Sequence, residues 1–110
     1  MEPIEINAGG WYLRGVRDDD RISDAYALTD LGIDSPADYV ARAQAAWADE
    51  TALTWAVCVP TTGELIALIV ARAGESLCGQ ARAGGEQALA AAHDPVVRFT
   101  RDALGWPVVE

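Results

Sequence analysis

The chain has 110 residues and sets 17 acidic side chains against 8 basic ones, all eight of them arginine, for a formal net charge of −9. That surface repels a nucleic-acid backbone, which discounts DNA and RNA as partners. No apolar run reaches membrane-spanning length and the start lacks the charged and apolar regions of a secretory signal, so a cytoplasmic protein without membrane contact is expected.

The length suits one domain over residues 1–110, and four tryptophans supply large apolar surfaces for its core. Cys58 and Cys78 are too few for a disulfide framework or a metal cluster. Both lie in apolar segments and read as small buried hydrophobes kept reduced.

The first predicted element is a strand over residues 10–16, with Trp11, Leu13 and Gly15 on one face and Tyr12, Arg14 and Val16 on the other. Asp18, Asp19 and Asp20 then place negative charge where a helix N-terminus favours it, and Ile22, Ala25, Tyr26 and Leu28 follow at helical spacing. A first helix over about 19–30, stopped at Gly32, is the expectation. Ser35-Pro36-Ala37-Asp38 signals a second: a serine cap, proline at the first helical position, and an acid positioned to return a bond to the cap. This helix should run over 36–49 with Val40, Ala43 and Trp47 on its apolar face.

Residues 52–71 form two β-rich apolar runs joined by a turn ending in Gly63, a hairpin pattern in which glycine supplies the positive φ of turn and bulge. Strands are expected over 52–59 and 64–71. Both faces of the first are apolar, which argues for helices on either side of a sheet. The stretch 75–80 allows a short strand at most. Residues 86–104 are helical in pattern, with an interruption expected at His93-Asp94-Pro95 because proline disfavours helix at the residue before it. Val96, Phe99 and Ala103 should then share one side of the second piece. Gly105 ends it, and Trp106-Pro107-Val108-Val109 reads as a final short strand.

Strand, two helices, hairpin, short strand, glycine loop, helix: with Trp11-Tyr12-Leu13-Arg14, Trp55-Ala56-Val57-Cys58, Thr62-Gly63-Glu64-Leu65, Val97-Arg98-Phe99 and Ala103-Leu104-Gly105, this order resembles the GNAT superfamily of N-acyltransferases across nearly the whole chain. The resemblance implies an α/β fold with three α/β/α layers and a mostly antiparallel sheet, shortened at its C-terminal end. It also implies acetyl-CoA as cofactor, with acetyl transfer to an amine. Family members hold the cofactor's pyrophosphate on a loop Arg/Gln-x-x-Gly-x-Gly/Ala at a helix N-terminus, where free N–H groups face the anion. Here the loop is Arg82-Ala83-Gly84-Gly85-Glu86-Gln87, which places Arg82, Gly84, Gly85 and Gln87 at the cofactor, with Gln87 in the final small position and the anionic Glu86 inside the loop.

For the ammonium proton of the acceptor, Glu64 and Glu75 are the candidate bases. His93, the single histidine, lies at the expected helix interruption, and neither cysteine has the surroundings of a nucleophile. The alternative to an enzyme is a non-catalytic module that keeps the scaffold and binds a small ligand or a protein, or a cleft repurposed for another reaction. A sheet that stops at Val108-Val109 is expected to expose an edge and to self-associate as a homodimer, with Phe99, Trp106 and Val108 at the interface.

Overall fold

A computed structural model describes residues 1–109 of the chain. It is an α/β domain: β1 Ile6–Ala8, β2 Trp11–Gly15, α1 Ala25–Asp30, α2 Pro36–Asp49, β3 Leu53–Cys58, β4 Leu65–Ala71, β5 Cys78–Ala81 and α3 Glu86–Leu104. The five strands form one sheet in chain order, antiparallel at every pairing.

Alternation along β3 explains the core. Leu53, Trp55 and Val57 point to the face that α3 covers with Ala88, Ala92 and Val96. Ala56 and Cys58 point to the other face, where Ala27 and Leu28 of α1 and Val40 and Ala43 of α2 pack. The two tryptophans at the centre are both buried, edge to face with centroids 4.9 Å apart, and Trp55 makes a second such contact with Phe99 at 5.8 Å. Their polar ends are satisfied: the Trp47 indole N–H donates to Thr54 O and that of Trp55 to Ile4 O, at 3.0 and 2.7 Å.

The β3–β4 hairpin forms as expected, with Gly63 at φ +73° and a register shift at Val57/Cys58. The second helix also falls on residues 36–49, but the Ser35 side chain makes no cap bond, and α2 leans instead on its packing face.

Elsewhere the structure corrects the sequence reading. The first helix begins at Ala25, because Asp18, Asp19 and Asp20 fold into a turn: Asp19 accepts the N–H groups of Arg21 and Ile22, and Asp18 bridges to Ser23. The His93-Asp94-Pro95 interruption is absent, since α3 runs unbroken through Pro95. A proline inside a helix costs about 3 kcal/mol, which the burial of Ala88, Ala92 and Val96 against the sheet offsets. Ala103, assigned to the apolar side, is exposed.

Residues 106–109 form no strand. The open edges of the sheet are therefore β1 and β5, and Phe99 and Trp106, expected at a dimer interface, pack against the core of their own chain; Val108 stays exposed. The strand missed at the N-terminus, β1, reaches β2 through Gly9-Gly10, a two-glycine link that marks a hairpin. Cys58 is buried, but Cys78 on the edge strand is exposed, contrary to the expectation for it.

Candidate functional site

The clearest polar construction in the domain lies where the end of β2, the start of α1 and the β3–β4 turn meet. Arg14 occupies the β2 face that carries Tyr12 and is continued by Val16 just beyond the strand, and it is only 5 % exposed. Its guanidinium forks onto Asp24, itself 3 % exposed, through Nη1–H to Oδ2 at 2.8 Å and Nη2–H to Oδ1 at 2.7 Å. Further bonds run from Nη1 to Gly15 O and from Nη2 to Gly63 O, and Asp24 Oδ2 also accepts the Arg17 N–H. Strand, helix start and turn are thus riveted by one charged pair, and among the described residues only Arg14 Nε is a buried side-chain polar atom without a partner.

A cleft of about 320 Å³ opens beside this pair, lined in part by Asp24, Tyr26, Thr62, Glu64 and Arg82. It contains two of the sequence-predicted site residues, and they meet: Arg82 Nη1 donates to Glu64 Oε2 at 3.2 Å and to Leu65 O at 2.9 Å, while Nε donates to Asp30 Oδ2 at 3.0 Å. Arg82 is mostly buried and Glu64 is 60 % exposed. The arginine that the loop pattern assigns to a phosphate therefore ties the end of α1 to the start of β4.

The other loop residues sit as follows. Gly84 lies at φ +85° in open space, a conformation that favours glycine whatever the ligand. Gly85 is the residue before α3 and is buried; a Cβ there would collide with Ile66 O, so its lack of a side chain is demanded by packing against β4. Gln87 is exposed on the first turn of α3, next to Glu86. A pyrophosphate would meet an arginine already neutralised by two carboxylates and a first turn carrying a third, a charge arrangement that does not suit it.

Glu64 and Glu75 are not brought together. Glu64 precedes β4 and Glu75 follows it in the turn to β5, so the seven residues of β4 separate them by roughly 20 Å. His93 is exposed on α3 with Nδ1 3.2 Å from Asp94 Oδ1. Burial pushes the Cys58 thiol up to about 11, so it is no nucleophile at neutral pH. The Arg17 guanidinium, with the N–H groups of Ile22 and Arg21, holds the exposed Asp19 carboxyl down at about 2.

Sequence reasoning missed the Arg14–Asp24 pair. The signal available was a lone arginine inside a strand whose neighbours on both faces are apolar: such a charge needs a partner, and Asp24 lies only ten residues on. Compared with family models, curated proteins and solved structures, the chain matches none.

Proposed function

We propose that this chain is a GNAT-like module that has kept the scaffold without acyl transfer and serves to bind a small ligand or a protein partner. One observation carries the reading: Arg82, the cation of the glycine loop, is spent on Asp30, Glu64 and the Leu65 carbonyl. Glu64 is one of the two carboxylates of that clamp, and Glu75 lies at the far end of β4, so the two candidate bases cannot act on one substrate atom together. The loop glycines support the same reading, because backbone geometry and packing account for both.

The competing reading is an N-acetyltransferase using acetyl-CoA. Its support is the start of α3, where no side chain caps the helix and the first N–H groups have no partner within it. Calorimetry with acetyl-CoA separates the two. The module reading expects no heat of binding at millimolar cofactor, and none for Gln87→Ala, which restores the small residue of the family loop. A melting temperature that rises with acetyl-CoA, as binding to the native state requires, would overturn it.

A further inference from the structure

The edge strand β5 pairs on one side only, with β4. Arg82 N–H donates to Ile66 O, which makes that pair a hydrogen-bonded one. By the alternation of an antiparallel ladder, Cys78 and Gln80 also turn their backbone groups toward β4, and Gly79 and Ala81 turn theirs outward. Two N–H and two C=O groups are therefore presented at an open edge.

That edge runs between two grooves. On the α3 side a groove of about 540 Å³ is lined chiefly by Ile69, Leu77, Leu89 and Ala90, with His93 and Asp94 at its rim. On the α2 side a groove of about 240 Å³ is lined chiefly by Ile33, Tyr39, Leu68 and Val70. Gly79 lets Leu89 lie against the strand, since a Cβ there would be 2.6 Å from Leu89 Cδ1. Successive side chains of an extended chain point to opposite faces. A strand added to β5 would drop one side chain into the larger groove and the next into the smaller.

We infer that β5 is a docking edge for an extended, apolar segment of a partner protein, flanked by basic residues. Acidic groups at the rim of the larger groove set the partner's sign. No arginine lines the larger groove, Asp94 is 86 % exposed at its rim and Glu75 is exposed in the turn entering β5, whereas Arg42 and Arg72 lie near Tyr39 of the smaller groove, so the basic flank belongs on the α3 side. A second copy fits less well: it carries the same net charge of −9, and its own β5 offers only Cys78, Gly79, Gln80 and Ala81, too small to fill the larger groove. Main-chain bonds supply the affinity in this mode and the two grooves the selectivity.

The inference rests on the binding-module reading and names its partner class. The probe is the fluorescein-labelled peptide Lys-Leu-Val-Leu-Val-Lys, followed by fluorescence anisotropy with the full chain. Saturable binding is expected, at least tenfold weaker when alternate peptide nitrogens are methylated and at least tenfold weaker when aspartates replace the lysines. Ala90→Trp, which fills the larger groove from an exposed helix position, should weaken binding tenfold or more while leaving the melting temperature within a few degrees. Asp94→Arg should weaken it severalfold, with the loss shrinking at high salt.

No binding at millimolar peptide, or equal binding of the methylated peptide, overturns the inference. A dimer by light scattering that Ala90→Trp dissociates overturns it in favour of a second copy. Acetyl transfer by the same preparation would overturn the module reading, while the anisotropy result still decides the edge.

Discussion

Removing Asp24 tests the physical account of the polar site most directly. Asp24→Ala deletes both arms of the fork to Arg14 and the acceptor for Arg17 N–H, three hydrogen bonds of 2.7–2.8 Å, and leaves a guanidinium that is 5 % exposed with only two carbonyls for company. Breaking a buried ion pair by removing one partner costs about 4 kcal/mol. A domain of this size is stable by roughly 5–15 kcal/mol in all, so the variant loses a large fraction of its stability and about 15 °C in Tm. Urea denaturation followed by tryptophan fluorescence measures this, because Trp47 and Trp55 are both buried in the native state. The double variant Arg14→Met/Asp24→Ala removes the stranded charge as well and should cost at least 1 kcal/mol less than the sum of the two single changes. A loss below about 0.5 kcal/mol in Asp24→Ala, or strict additivity in the double variant, would refute the idea that the pair rivets β2, α1 and the hairpin turn.

The glycine loop gives a paired expectation: Gly85→Ala forces a methyl onto Ile66 O and should cost about 3 kcal/mol, whereas Gly84→Ala meets only open space and the strain of a positive φ, about 1 kcal/mol. Equal losses in urea melts would show that packing is not what holds position 85 to glycine. Thiol titration of the native chain should find one fast group, Cys78, with Cys58 reacting only on unfolding, since it is buried and its thiol titrates at about 11; two fast thiols would contradict the placement of Cys58. For Asp19, whose folded value of about 2 lies below the ordinary 3.8, the stabilisation is complete above the ordinary value and is lost as pH falls through about 2. Asp19→Asn should therefore erase a part of the acid dependence of stability between about pH 4 and pH 2, and identical acid titrations of parent and variant would refute that role.

Local chemistry made much of the fold legible. The 3.6-residue spacing of Val40, Ala43 and Trp47 behind Pro36 marked α2, and the apolar runs around Gly63 marked the hairpin, because each pattern is set by neighbours within one turn or one strand pair. The bounds 86–104 of the last helix were equally readable, as was its stop at Gly105. Its continuity through Pro95 was not, since local preference argued for a break and the sheet beneath α3 decided otherwise.

The site divides along the same line. The sequence alone placed a glycine loop before a helix, with Arg82 at its start and Glu64 after a turn. Only the folded chain joined Arg82 to Glu64 and Asp30, closed Arg14 on Asp24, and set Glu75 at the opposite end of β4. Those pairings bring together residues up to 52 positions apart, and β4 holds its two ends apart by strand length alone. A residue pattern records what its near neighbours require; which charges meet across the fold depends on how the elements pack, and that information exists only once the sheet and its helices have assembled.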